Sequence, residues 1–255
     1  MLVSCEIDGA VATITLDNPP VNALSSDLLA ELGAAVDAVG DGAVRVVVIT
    51  GSPRFSAGAD ISGFRSLMEG GGSAASLGDD LSRLCRRVEV LEKPTIAAIR
   101  GFAYGGGLEL ALACDFRVMS ADARVGQPEV NLGVLPGAGG TQRLARLIGL
   151  AEARRMVLTG EPVDARRALE LGLADRVVPD EELAEAVAEE AGRWATAPTR
   201  AIGFAKRALT EGFGLPIDDA LALETEMFRA AFETADAAEG VAAFLEKRDP
   251  GFQGA

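Results

Sequence analysis

Hydrophobic residues recur along the chain with two periods, and their alternation predicts an α/β protein. Val11–Leu16 alternates like a half-buried strand, and Asp17-Asn18-Pro19-Pro20 stops it. Leu24, Leu28, Leu32, Ala35 and Val39 are then spaced 4, 4, 3 and 4, the stripe of a helix with Ser25 or Ser26 as its cap. Asp41-Gly42 breaks it, and residues 44–50 read as a buried strand ending at Gly51. A small-residue loop follows, then a Gly/Ser/Ala tract over 70–76 that is expected to be flexible. Leu77, Leu81, Leu84, Val88 and Leu91, spaced 4, 3, 4 and 3, predict an amphipathic helix that Lys93-Pro94 ends.

Thr95–Ile99 is short, apolar and partly β-branched, as in a buried strand. The chain then passes Gly101 and Gly105-Gly106-Gly107 into an apolar helix over 108–114, with Glu109 in its first turn. Phe116–Ser120 is another strand, and the turn Pro136-Gly137-Ala138-Gly139-Gly140 opens a basic helix with Arg143 and Arg146. Residues 151–178 predict two short helices and a strand, with Asp164 capping the second helix and Gly172 closing it. Helices are expected over 181–195, 199–211, 216–233 and 235–247. The character therefore changes near residue 195, from mixed α/β to all helix. A strand–loop–helix unit recurs three times. Loops at 57–61 and 105–107 both follow strand ends, where α/β folds gather ligands.

Composition narrows the chemistry. The 255 residues are 49% hydrophobic and only 5% aromatic, so the core is mostly Ala, Val and Leu. The net charge of −14 argues against a nucleic-acid or anionic-membrane partner, and an anionic ligand needs a local group of Lys or Arg. Cys5, Cys85 and Cys114 have no CxxC spacing, which argues against a zinc ribbon or disulfide framework. Met1 to Ile7 lacks the basic end and apolar core of a signal peptide, and no apolar run approaches the ~20 residues of a spanning helix. A soluble, cytoplasmic protein is expected. Histidine is absent, which excludes Ser-His-Asp and Cys-His catalysis and His-containing metal sites. Acid–base work at neutral pH then falls to carboxylates, Lys, Tyr or Cys.

Three consecutive glycines strip the side chains from a turn, so a ligand can reach backbone N–H groups at a helix N-terminus. That describes an oxyanion hole with a carboxylate beside it, or equally a tight strand-to-helix turn whose Glu complements the dipole. Glu109 lies in a helix apolar on every side, where a carboxylate is costly unless hydrogen-bonded or raised in pKa. Glu129, after a proline in a turn, reads either as a surface residue or as a second carboxylate of the same pocket. Two carboxylates in a dry pocket raise each other's proton affinity and suit the handling of a water molecule.

Three motifs make this more specific. Phe55-Ser56-Ala57-Gly58-Ala59-Asp60-Ile61, Gly105-Gly106-Gly107-Leu108-Glu109-Leu110-Ala111, and the run from Gly126-Gln127-Pro128-Glu129 through Pro136-Gly137-Ala138-Gly139-Gly140-Thr141-Gln142-Arg143 resemble the enoyl-CoA hydratase/isomerase family, the crotonase superfamily. The likeness runs over essentially the whole chain, including Asn22-Ala23-Leu24, the stretch 168–178 and Phe244-Leu245-Glu246-Lys247-Arg248.

The resemblance implies an α/β crotonase-like spiral of ββα repeats over residues 1–195, carrying the CoA and catalytic site. A helical region over 196–255 would serve trimerisation, giving a homotrimer or dimer of trimers. It also implies an acyl-CoA thioester substrate, coenzyme A being part of the substrate, with no metal and no other cofactor. Backbone N–H groups of Ala59 and Gly106 would hold the thioester oxygen. Glu109 would position and activate a water, and Glu129 would donate a proton to the α-carbon. Ala23, Ala57, Ala59, Asp60, Ile61, Ser62 and Gly106 would line the substrate. Phe244 and Lys247 match positions near the adenine end of CoA, sometimes from a neighbouring subunit; Lys247 reads equally as a solvated helix-end lysine. Both glutamates together favour hydration of a 2-enoyl-CoA over 3,2-isomerisation. A noncatalytic, RNA-binding relative is a third class, against which the acid excess counts. The acyl-pocket walls are expected from the 62–80 loop and the C-terminal helices.

Overall fold

The structure, a computed structural model, describes residues 1–40, 42–61 and 74–255, with side chains from residue 78 onward in the last span. The helix break at Asp41, Ser62, the start of the Gly/Ser/Ala tract and the Leu77 side chain lie outside the described residues, as does most of the 62–80 loop. β1 (Val3–Asp8) and β2 (Val11–Leu16) form an antiparallel hairpin. From β2 onward the chain repeats one move: a strand in the large sheet, a short strand beside it, then a helix. β2 leads to β3 (Ala23–Leu24) and α1 (Ser26–Ala38); β4 (Val46–Gly51) leads to β5 (Gly58–Ala59) and α2 (Ala74–Glu89). β6 (Thr95–Ile99) leads to β7 (Phe102–Tyr104) and α3 (Gly106–Ala113). β8 (Phe116–Ser120) and β9 (Arg124–Gly126) are followed by a 3-10 turn, Pro128–Leu132, then α4 (Gly140–Ile148) and α5 (Leu150–Thr159). β10 (Val163–Asp164), α6 (Ala165–Glu170) and β11 (Arg176–Val178) close the sheet. Then come α7 (Leu183–Ala195), α8 (Thr199–Gly212), α9 (Ile217–Phe232) and α10 (Ala235–Glu246).

The large sheet runs β1-β2-β4-β6-β8-β11, parallel beyond the first hairpin. The short strands pair among themselves, β3 with β5 and β7 with β9 and β10, and a bridge between Ser56 and Ala103 links the two groups. This is an α/β spiral of ββα turns followed by helices. Parallel strands covered on both faces read as continuous apolar runs, and β4 illustrates this. Val47 and Ile49 join the main core with α1, α2 and α3, while Val46 and Val48 face Leu183, Ala186, Val187 and Ala191 of α7.

The short strands β5, β7 and β9 fall in stretches that the periodicity leaves without an element, α3 starts at Gly106 within the glycine run, and the start of α1 and strand β1 also differ from it. Leu24 is extended in β3, opposite Ala59, and the helix starts at Ser26 with Ser25 Oγ accepting from the Leu28 N–H at 3.3 Å. Leu24 still enters the main core, so a stripe counted by spacing alone runs past the true helix start. β1 escaped the pattern because it is an edge strand buried only at Val3, leaving no alternation to read.

Asn22 ties the first turn to the loop that follows β4. It is fully buried with φ +50°, a backbone that Asn tolerates better than most residues. Its Nδ2 lies within hydrogen-bonding distance of the carbonyls of Leu16 (3.1 Å), Ser52 (3.3 Å), Arg54 (2.6 Å) and Phe55 (3.2 Å), and its Oδ1 accepts from the Asn18 N–H at 2.6 Å. Its own carbonyl accepts from Ser56 Oγ at 2.7 Å. These bonds fix where residues 55–61 leave the sheet. Asn22→Gly is expected to lower the unfolding free energy by about 1–3 kcal/mol for each carbonyl left buried without a donor. Asn22→Ala should lose about 1 kcal/mol more, since alanine also strains the positive φ. Urea unfolding midpoints in the order wild type, Gly, Ala check this; equal midpoints for the two variants would contradict the backbone argument.

Candidate active site

Every residue of α3 is buried, which follows from an apolar sequence on all its faces. Glu109 sits within it at 2% exposure. Its carboxylate is accommodated by another element: Oε1 accepts the Ala138 N–H at 2.6 Å and the Gly140 N–H at 2.7 Å. Those donors form the start of α4, where N–H groups have no intrahelical acceptor and the helix dipole favours an anion. Burial raises the Glu109 pKa, and the two N–H bonds and the nearby Arg143 charge offset this only in part.

Glu129 stands on the 3-10 turn after β9, with Pro128 at the turn's start. Burial, with the Glu109 charge as a further cause, raises its pKa to about 7 against the pull of its own backbone N–H. Gln127, fully buried, directs its carboxamide at the same group. With the amide nitrogen facing the carboxylate, it donates to Oε1 at 2.9 Å and Oε2 at 3.2 Å. The carboxylate lies directly against Gly105, where an added β-carbon would come 2.9 Å from Oε1. Gly105 has φ +51°, so both its backbone and the space above it require glycine.

Gly106 is the first residue of α3, ahead of any intrahelical acceptor for its N–H. The loop carrying Ala59 packs against it: a β-carbon on Gly106 would lie 3.4 Å from the Ala59 nitrogen, and one on Gly58 would lie 3.1 Å from the Gly106 nitrogen. Ala59 and Gly106 both line a cavity of about 580 Å³ that Glu109 and Glu129 also line. Its remaining wall is largely apolar, with Leu24, Leu29, Leu81, Leu132, Val134 and Leu135 among the contributors. Such a cavity suits a ligand with an apolar body and one polar group to be oriented.

The structure thus brings Ala57, Ala59, Asp60, Ile61, Gly106, Glu109 and Glu129 to one cavity. Ala23 does not line it. It pairs with Gly58 behind the wall, and its carbonyl accepts from the Ser25 N–H and Asn18 Nδ2. Ser62 lies outside the described residues. Phe244, 82% exposed, and Lys247, in the left-handed conformation just past α10, are not among the residues that line the cavity. Sequence reasoning missed Gln127, the Ala138 and Gly140 donors, and the 132–135 wall. The glycine turn 136–140 carried a signal for the donors, since it opens a helix. Among the described residues, no group of three His, Cys, Asp or Glu side chains is placed to hold a metal ion, and no helix is long and apolar enough to cross a membrane.

Residues 6–255 match the family described as enoyl-CoA hydratase/isomerase. The chain is 43% identical over 255 residues to a probable enoyl-CoA hydratase of Bacillus subtilis, covering 99% of this chain and 98% of that protein. It is likewise 43% identical over 253 residues to a crotonyl-CoA hydratase of Syntrophomonas wolfei, covering 97% and 96%. Among solved structures, an enoyl-CoA hydratase from Bacillus anthracis superposes with a TM-score of 0.91 at 35% identity, covering all of both chains. With a matching sequence over nearly its full length, a matching fold, and both carboxylates and both loops gathered at one cavity, the chain belongs to the enoyl-CoA hydratase/isomerase family.

Proposed function

We propose that this protein is an enoyl-CoA hydratase, adding water across the 2,3 double bond of a 2-enoyl-CoA to give the 3-hydroxyacyl-CoA. The observation that carries this is the pair of carboxyl groups on one cavity wall, Glu109 held by two N–H groups and Glu129 titrating near 7, beside the Ala59 and Gly106 amides. Relatives named enoyl-CoA and crotonyl-CoA hydratases support it. The thioester oxygen takes the two amide N–H groups. Glu109 positions and activates the water, whose oxygen bonds to C3. The π electrons move toward C2 and the thioester oxygen, C2 takes the proton of Glu129, and Glu129 recovers one from the water. Negative charge develops on the thioester oxygen only during reaction, so the two donors stabilise the transition state more than the substrate. One such donor is typically worth ~3 kcal/mol. Coenzyme A is part of the substrate here, and the acid–base work rests on side chains and backbone alone.

The apolar wall suits the acyl chain, and residues 57–61 suit the thioester end of the pantetheine arm. Exposed apolar side chains on the C-terminal helices, among them Leu209, Phe213, Phe228, Phe232 and Leu245, support an oligomerisation role for residues 196–255. In a trimer or dimer of trimers, Phe244 and Lys247 would meet the adenine end of CoA across a subunit boundary. A cytoplasmic location accords with this chemistry.

Mixing the enzyme with a 2-enoyl-CoA should deplete the conjugated-enoyl absorbance; a rise on a 3-enoyl-CoA instead would assign double-bond isomerisation. Glu109→Gln and Glu129→Gln should each lower kcat by about 10²–10⁴-fold. Unchanged hydration in both variants would overturn the assignment. The pH profile supplies a separate check. Glu129 must carry its proton in the free enzyme, so kcat/KM should fall as pH rises through about 7. That limb should be absent from the residual activity of Glu129→Gln.

A further inference from the structure

Arg143 of α4 and Glu89, the last residue of α2, form a bidentate pair beneath the site: Nε donates to Oε1 at 2.9 Å and Nη2 to Oε2 at 3.0 Å. Their side chains are only 16% and 24% exposed, and neither reaches the cavity wall. The third arm of the guanidinium is also used, Nη1 donating to the Ala138 carbonyl at 2.9 Å. Ala138 is the residue whose N–H binds Glu109, so one peptide unit away from that bond the chain is pinned by Arg143. The Nη1 end of the guanidinium occupies the space beside the next residue: a β-carbon on Gly139 would fall 2.2 Å from Nη1, and Gly139 has φ +105°. The turn that aims two N–H groups at Glu109 is therefore shaped around the guanidinium.

We propose that Arg143, locked on Glu89, is a positioning residue for Glu109, fixing the 138–140 turn so that its two N–H groups hold Oε1 and orient the carboxylate toward the water. This rests on Glu109 acting as the water-activating group. Lysine cannot replace arginine here, because a single ammonium lacks the fork that bonds both Glu89 oxygens while a third N–H holds a carbonyl. Burial works against the Glu89 charge, yet its bonds to Arg143 and Arg86 outweigh that and keep its carboxyl below the usual range, so it stays charged for the pair. The clamp also links α2, which supplies Gly78 and Leu81 to the cavity wall, to the start of α4. The charged and titratable groups acting on this part of the site are Cys85, Arg86 and Glu89 from α2, Glu109 from α3, Arg143 from α4 and Glu129 from the 3-10 turn.

The test is steady-state hydration of a 2-enoyl-CoA across pH by Arg143→Gln, Arg143→Lys, Glu89→Gln and Glu109→Gln. Arg143→Gln should lower kcat by about tenfold to a hundredfold, with KM changed less than about twofold because the oxyanion donors Ala59 and Gly106 lie on other loops that Arg143 does not bond. Losing the nearby positive charge and the ordered donors disfavours ionised Glu109. The acid limb of kcat, where Glu109 gains its proton, should therefore move to higher pH. Arg143→Lys, which returns the charge but not the fork, should bring the limb only part of the way back while leaving kcat depressed, and Glu89→Gln should shift kcat in the same direction as Arg143→Gln. If Arg143→Gln does not fold by circular dichroism, Glu89→Gln carries the test alone. An inactive Glu109→Gln beside clamp variants with unchanged kcat and acid limb overturns this inference and leaves the assigned reaction standing. Equal losses in kcat and affinity with an unmoved limb, the mark of a merely structural role, also overturn it. A fully active Glu109→Gln removes the reading on which it rests.

Discussion

A carboxylate in an apolar helix is the constraint on which the site depends. Glu109 has no solvent to hydrate it, and desolvating an unpartnered carboxylate costs far more than one domain can spare. Two N–H groups of a different helix resolve this, and the solution is mutual, since the start of α4 has donors that need an acceptor. Helix α3, the turn at 138–140 and α4 are thereby fixed to one another. Because the stabilisation is incomplete, the carboxyl remains basic enough for proton chemistry.

The spiral explains why the remaining parts arrive at the same place. Each turn contributes a parallel strand to the large sheet, and each strand's carboxyl end hands the chain to a short strand and then a helix. The loops after β4, β6 and β8 therefore emerge side by side. They deliver Ala59, then Gly106 with Glu109, then Glu129. Asn22 adds the cross-link that sets the exit angle of the first of these loops, by offering its amide to carbonyls on both sides of the turn. Glycine at 58, 105 and 106 is what permits the backbones to approach closely enough to share a cavity with the carboxylates.

The electrostatics are local. A chain with net charge −14 places two carboxyl groups in one cavity; burial raises the proton affinity of each, and the Glu109 charge adds to the rise at Glu129. The differences between them come from their partners. Glu109 has helix-start N–H groups and Arg143 nearby, whereas Glu129 has its own N–H, Gln127 and the repulsion of Glu109. One residue type thus obtains two environments in a shared space, the condition under which two like groups can be held in different protonation states.

Much of this was legible in the residues. Strands such as Val11–Leu16, Thr95–Ile99 and Phe116–Ser120 carry their burial in their own composition, and Asp164 and Gly172 punctuate a helix by local chemistry. The apolar surroundings of Glu109 in sequence already required a buried carboxylate with a partner, and the missing histidine left carboxyl groups to handle protons. Sequence could not supply the partner, because Ala138 and Gly140 act through backbone atoms that every residue possesses and lie about one helix-and-strand unit further along the chain. The exposed edge strand Val3–Asp8 and the placement of Leu24 in β3 escaped for a related reason: pairing across a sheet, not periodicity, defines them. Local pattern therefore determined which segments are strands and helices and which side chains carry the chemistry. Tertiary structure alone decided which backbone N–H groups face them, since desolvation and hydrogen bonding depend on what the fold brings within 3 Å, and distance along the chain does not encode that.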